Sequence, residues 1–198
     1  MVKIGINGFG RIGRLILRAL IENFKGKIQV VGINDLGSVE TNAHLIKYDS
    51  THGILNHDVT TTKDSFQIGD QNIKVFAEKD PSKLPWSKIG ADVVLECTGF
   101  FLDKETAGKH IAAGAKKVII SAPAKQVDFT LVQGVNSKEL KKEHNIISNG
   151  SCTTNCLAPV AMILEKNFGI TYGYMTTIHS YTGDQKLLDT FHKDLRRA

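Results

Sequence analysis

The hydrophobic and polar positions of this chain switch period several times between the N-terminus and residue 150. Val2 to Ile6 is a short apolar strand, Arg11 to about Phe24 carries a helical pattern, and Ile28 to Ile33 is a strand again. That order is a βαβ unit, which predicts parallel strands joined by a right-handed crossover. Val59 to Thr62, Ser65 to Ile68 and Asn72 to Phe76 read as short strands, with Gly69-Asp70 in a turn, and form an antiparallel excursion or edge. The parallel pattern resumes with Asp92 to Cys97, a helix from roughly Lys104 to Ala113 behind an Asp103 cap, and the β-branched run Lys117 to Ser121. Asp128 to Gly134 and Asn145 to Ser148 supply two more strands.

These elements predict an α/β fold in which a doubly wound, mostly parallel sheet of Rossmann type occupies residues 1–150, the size of one dinucleotide-binding domain. From residue 151 the pattern changes. A helix from about Ser151 to Phe168 and a long strand from Ile170 to Ser180 lead into a polar, charged tail. Pro159 lacks a backbone donor, so it either kinks that helix or delays its start to near Leu157. One helix and one strand cannot close a core of their own. Residues 151–198 are therefore expected to begin a second, α+β domain that is incomplete.

Composition narrows the class. Of 198 residues, 41% are hydrophobic, enough for a real core, and 23% are charged. The longest apolar stretches, such as Leu15-Ile16-Leu17, are interrupted by Arg14 and Arg18 well short of a membrane span. The Asn7-Gly8 break interrupts any apolar core of a secretory signal, so a cytoplasmic location is expected. Three cysteines without a CxxC spacing argue for reduced thiols, against a disulfide framework and against a metal site. The net charge of +5 suits anionic cofactors and phosphorylated substrates, although each small cluster, at Lys116-Lys117, Lys138 to Lys142 and Arg196-Arg197, reads first as solvated surface. No nucleic-acid motif is present in the sequence.

Two stretches carry candidate chemistry. Gly8-Phe9-Gly10-Arg11-Ile12-Gly13 follows the first strand and opens the first helix, the context that a dinucleotide fingerprint requires. Gly8 allows the tight turn, Gly10 lets the backbone approach a pyrophosphate, and Gly13 permits close helix packing. The helix start at Arg11-Ile12 offers backbone N–H groups and a positive dipole end to phosphates. Asp35, after the second strand, can accept hydrogen bonds from ribose hydroxyls and would repel a 2′-phosphate, which favours NAD over NADP. Thr98 and Ser121 sit at strand carboxyl ends, where ligands bind in such sheets, though each also reads as ordinary loop polarity.

The second stretch is Ser148-Asn149-Gly150-Ser151-Cys152-Thr153-Thr154-Asn155-Cys156. Ser151 is a good N-cap, which places Cys152 in a first helical turn where thiolate is favoured over thiol. Cys156, one turn on, and Cys97, inside an apolar strand, read as small structural residues. His179 ends the long strand beside Ser180, Tyr181 and Thr182. It is either a catalytic base or a packed or solvated side chain, and spacing alone does not bring it to Cys152.

The motifs Asn7 to Arg14, Asn34-Asp35, Cys97-Thr98-Gly99, Ser121-Ala122-Pro123 and Ser151 to Cys156 together resemble phosphorylating glyceraldehyde-3-phosphate dehydrogenase, and the match covers the whole chain. The resemblance implies that residues 151–198 begin a catalytic domain and that the enzyme is a homotetramer when intact. It implies that Cys152 attacks the aldehyde of glyceraldehyde 3-phosphate to give a thiohemiacetal, whose hydride passes to NAD. Inorganic phosphate then cleaves the resulting thioester to 1,3-bisphosphoglycerate. By the same resemblance His179 activates the thiol and takes the hemiacetal proton, and Ser151, Thr153 and Thr182 hold the substrate and attacking phosphates. Arg11, Ile12 and Asp35 match cofactor contacts, Lys79 stands near the adenine where arginine is commoner, and Ser121 lies near the nicotinamide end. Gly150 stands where alanine is usual, and Thr190-Phe191 replaces a pair that often ends in proline. The rival readings are erythrose-4-phosphate oxidation by the same thiol, with water replacing phosphate, and an inactive NAD-binding fragment or interaction module.

Overall fold

The computed structural model describes residues 1–69 and 71–183. The first βαβ unit is β1 (Val2–Asn7), α1 (Arg11–Asn23) and β2 (Ile28–Asn34), followed by α2 (Val39–Lys47) and a hairpin of β3 (Tyr48–Asp49) and β4 (Gly53–Ile54). Next come β5 (Val59–Thr61), β6 (Ser65–Ile68), β7 (Gln71–Phe76), α3 (Trp86–Ile89), β8 (Val93–Glu96) and α4 (Lys104–Ala112). The remaining elements are β9 (Lys117–Ile120), β10 (Phe129–Thr130), β11 (Ile146–Ser148) and α5 (Cys152–Phe168).

Among the described residues, nine strands form one sheet in the order β10-β11-β9-β8-β1-β2-β7-β6-β5. Pairing is parallel from β10 to β7, and only β5 with β6 and β6 with β7 are antiparallel. The mostly parallel α/β sheet is therefore as the sequence implies. β1 has β2 on one side and β8 on the other, so the strand order reverses beside it and opens a crevice at the carboxyl ends.

One face of the sheet is covered by α1, which buries Leu17, Leu20 and Ile21 in a cluster with Ile4, Ile6 and Ile33. On another cluster Trp86 packs with Val94 and Ala115, close to a glycine floor. A Cβ on Gly5 would stand 2.5 Å from the Trp86 ring, and one on Gly32 would stand 2.6 Å from Ile89 Cδ1. Arg18, 4% exposed, turns its guanidinium to backbone carbonyls: Nε and Nη2 donate to Ile46 O at 3.1 and 2.9 Å, and Nη2 also donates to Lys47 O and Gly53 O. These acceptors include the last carbonyls of α2, which no intrahelical donor serves.

Several expectations need correction. The helix α2 and the β3–β4 hairpin were not predicted; Ser38 caps α2 by accepting the Thr41 N–H at 3.1 Å. The strand expected over Asp128 to Gly134 pairs only at Phe129–Thr130. Asn136 folds the following residues into a turn, accepting from Val132 N at 2.8 Å and donating to Thr130 O at 2.9 Å. Helix α5 does not start late near Leu157: it runs from Cys152 to Phe168 with Pro159 inside it, and Ser151 caps its start, Oγ accepting the Thr154 N–H at 2.9 Å. The long strand expected from Ile170 to Ser180 is irregular and exposed. Strand residues need a neighbour for their N–H and C=O groups, and none pairs with this segment among the described residues.

The chain divides into two compact units, Met1–Pro159 and Val160–Ala198. Asp70 of the expected Gly69-Asp70 turn, and Asp184, Thr190-Phe191 and Arg196-Arg197 of the tail, lie outside the described residues.

Candidate functional site

A cavity of about 470 Å³ opens at the carboxyl ends of β1, β2 and β8. Gly8, Gly10, Asp35, Lys79 and Thr98, all singled out from sequence, line it together with Asn7, Asn34, Leu36, Glu78, Cys97, Phe100 and Phe101. Gly8 takes φ 90°, and a Cβ there would stand 2.7 Å from the Thr98 backbone nitrogen, so only glycine fits between the two loops. At Gly13 a Cβ would meet Gly8 O at 2.2 Å, which is the close approach expected of the third fingerprint glycine. Gly10 has nothing within 4 Å of a built Cβ and leaves the backbone open.

Helix α1 begins at Gly10 without a side-chain cap and without an acidic residue in its first turn. Its first N–H groups are thus left for an anion. The Arg11 guanidinium pairs with Asp49, so at this position the main chain faces the phosphate role while the side chain ties α1 to the β3–β4 hairpin. Ile12 is half-exposed beside it.

Asp35 is held from both sides. Its Oδ2 accepts the Phe9 N–H at 2.8 Å and its Oδ1 accepts the Gly37 N–H at 2.9 Å. Each carboxylate oxygen keeps a lone pair for a further donor. An uncapped helix start, an open glycine and a braced carboxylate in one crevice fit a dinucleotide with free ribose hydroxyls.

Ser121 does not line the cavity. Its N–H donates to Glu96 O at 3.0 Å, and its hydroxyl bonds the Cys97 thiol. Burial pushes that thiol up to about 12, with the Ser121 bond opposing the shift, so Cys97 is a packed residue as expected.

The thiol stretch follows β11. Ser148 Oγ donates to Ala122 O at 2.7 Å, and Gly150 turns the chain with φ 66°, a conformation that the alanine usual in the resemblance would adopt only with strain. Ser151 then caps α5, and Asn155 Nδ2 donates back to Asn149 O and Ser151 O at 2.6 and 2.9 Å. Cys152 is the first residue of α5 and is exposed; Thr153 is half-buried. Cys156 is exposed and does not pack into a core as expected. His179 and Thr182 belong to the second unit, where both are exposed and His179 Nδ1 lies against Ser180 O.

Sequence reasoning missed Asn7 and Asn34 as cavity residues. Both are buried polar residues ending neighbouring parallel strands, joined by Asn34 Nδ2 donating to Asn7 Oδ1 at 2.7 Å, and an asparagine closing an apolar strand is the signal that could have found them. Among the described residues no helix is long and apolar enough to cross a membrane.

Residues 2–104 match the family model described as glyceraldehyde 3-phosphate dehydrogenase, NAD binding domain, and residues 151–198 match the C-terminal domain of the same name. Curated glyceraldehyde-3-phosphate dehydrogenases of Xanthobacter flavus and Geobacillus stearothermophilus are each 56% identical to this chain, covering 100% of it and 59% and 58% of their own lengths. That of Thermotoga maritima is 54% identical, with 100% and 60% covered. The chain thus spans about three fifths of the length of these relatives. With a matched domain over residues 2–104 and this identity along its whole length, the chain belongs to the glyceraldehyde 3-phosphate dehydrogenase family, whose cofactor is NAD.

Proposed function

We propose that residues 1–150 are the NAD-binding domain and residues 151–198 the beginning of the catalytic domain of a glycolytic, phosphorylating glyceraldehyde-3-phosphate dehydrogenase, cytoplasmic and homotetrameric. The observation that carries this reading is the placement of Cys152. It is exposed at the first position of a 17-residue helix whose start is capped by Ser151, and it leaves the sheet after β11, which runs parallel to the strands that end at the cavity.

At that position the positive end of α5 stabilises a thiolate. His179 takes the thiol proton of Cys152, the sulfur adds to the aldehyde carbon of glyceraldehyde 3-phosphate as a carbon–sulfur bond forms, and the carbonyl pair moves onto oxygen, which receives that proton back from His179 to give a thiohemiacetal. His179 takes the hydroxyl proton as the carbonyl reforms, work suited to an imidazole. NAD, when bound, supplies the hydride acceptor. A phosphate oxygen then attacks the thioester on Cys152 and expels the thiolate, giving 1,3-bisphosphoglycerate. Ser151, Thr153 and Thr182 offer hydroxyl donors to the two phosphates. Gly8, Gly10, Arg11, Ile12 and Gly13 hold the pyrophosphate, Asp35 the adenosine ribose and Lys79 the adenine side; Thr98 lines the cofactor cavity, and Ser121, outside its lining, stands near the nicotinamide end.

The test is NADH formation from NAD and glyceraldehyde 3-phosphate, with and without inorganic phosphate, beside a Cys152→Ser control. Turnover that needs phosphate and vanishes in the control is expected. Turnover indifferent to phosphate, or surviving the substitution, would overturn the reading.

A further inference from the structure

Beside the cavity lies a buried polar network that the reaction above does not use. Glu96, the last residue of β8, is 1% exposed, and both of its oxygens accept two donors. Oε2 accepts from Asn7 Nδ2 at 2.6 Å and from His110 Nε2 at 3.0 Å. Oε1 accepts the Thr98 N–H at 2.7 Å and the Thr98 hydroxyl. His110, on α4, is fully buried, and its Nδ1 accepts the indole N–H of Trp86 at 2.9 Å. An indole N–H only donates, so Nδ1 carries no proton and the ring's one N–H sits on Nε2, aimed at Glu96.

Two of the residues bound by this carboxylate line the cavity from opposite sides of the switch point: Asn7 ends β1, and Thr98 begins the turn after β8. The Thr98 hydroxyl also accepts the Phe100 N–H at 3.1 Å, so it is committed to the turn in both roles. Across the crevice Asn7 Oδ1 accepts from Asn34 Nδ2, whose partner oxygen takes the Glu78 N–H at 2.8 Å. One buried carboxylate therefore connects the walls contributed by β1, β2 and β8.

We propose that Glu96 is a positioning residue for the cofactor: held in one orientation by His110 and Trp86, it fixes Asn7 and the Thr98–Phe100 turn relative to each other, so the cavity is shaped before NAD binds. The proposal rests on the reading of this cavity as the NAD site. A preformed site binds more tightly than one that must first be assembled, because the ordering is not charged against binding. A role confined to stability would change the folded fraction and leave the affinity of folded molecules alone.

The experiment titrates NAD into the purified chain by calorimetry, with the emission of Trp86, the single tryptophan, reporting on the same samples whether the core is intact. Glu96→Gln keeps the size but turns an amide donor toward one of the donor pairs. It is expected to raise the NAD dissociation constant by about tenfold or more while Trp86 emission stays that of a buried indole. Thr98→Val, which removes only the hydroxyl, is expected to weaken binding in the same direction, and Thr98→Ser to restore it. Folded Glu96→Gln binding NAD within about twofold of the parent would overturn the proposal. Should Glu96→Gln fail to fold, the threonine pair decides, and parent-like binding by Thr98→Val overturns it. A parent chain that does not bind NAD would overturn the cavity reading itself, and the positioning role with it.

Discussion

Gly5 and Trp86 meet across one face of the sheet with no room between them: a Cβ on Gly5 would lie 2.5 Å from Cζ3 and 2.8 Å from Cε3 of the indole. Trp86 is fully buried, with Phe76 edge-on at 6.4 Å and its Nε1 fixed on His110. The ring is thus braced by Phe76 and by its bond to His110. Gly5→Ala is therefore expected to cost about 1–3 kcal/mol, the usual range for overpacking a core. For a chain of this size that lowers the thermal midpoint by roughly 2–4 °C per kcal/mol. Thermal unfolding followed by Trp86 emission measures it, and an unchanged midpoint would show that the ring moves freely.

Asp35 bears on cofactor choice. With Asp35 at the adenosine ribose, as proposed above, replacing it by serine removes a negative charge from the place where a 2′-phosphate would sit, so the ratio of NADP to NAD affinity is expected to rise by about tenfold or more. The substitution also removes the brace on the Phe9 N–H, and NAD affinity should fall. Parallel titrations with both dinucleotides check this, and an unaltered ratio would exclude Asp35 from the ribose site.

Asp128 should shape the acid limb of stability. Lys104 Nζ at 2.6 Å, followed by the Ile146 and Asn145 N–H groups at 2.9 and 2.8 Å, holds its carboxyl down to about 2. A depressed carboxylate contributes stability above its unfolded value, about 3.9, and loses it as pH falls through the folded value. Asp128→Asn is expected to be less stable than the parent near neutral pH, the gap closing between about pH 5 and pH 2. Urea midpoints across that range give the answer; a gap independent of pH would mean that the charge of Asp128 contributes nothing.

The thiols should separate by reactivity. Iodoacetamide at about pH 8.5, the ordinary thiol range, is expected to modify the exposed Cys152 and Cys156 and to spare Cys97, which burial holds near 12. Cys97 should react once the chain is unfolded in urea. Peptide mass spectrometry distinguishes the sites, and early labelling of Cys97 in the native chain would show that its partly buried position does not protect it.

What sequence made legible was whatever is local or periodic. The run Val2 to Ile6, the spacing of Gly8, Gly10 and Gly13, Asp35 after β2, the Asp103 cap and the Ser151 cap each declare themselves within a few residues, and the structure places all of them as read. The network around Glu96 was invisible for the opposite reason. Asn7 and Glu96 are 89 residues apart, and Trp86 and His110 are 24 apart, so nothing along the chain links them before the sheet is built. The segment Ile170 to Ser180 failed differently. Its β-branched and aromatic residues favour a strand, but propensity without a hydrogen-bonded neighbour does not make one.

Arg18 has a consequence for how the chain reaches this fold. A hairpin of two-residue strands cannot hold together by its own ladder. The carbonyls of Lys47, His52 and Gly53 are instead gathered by a guanidinium on α1, 29 to 35 residues earlier. The hairpin and the end of α2 are therefore expected to open with α1, so that amide exchange in residues 46–54 follows the opening of a helix that these residues are not part of.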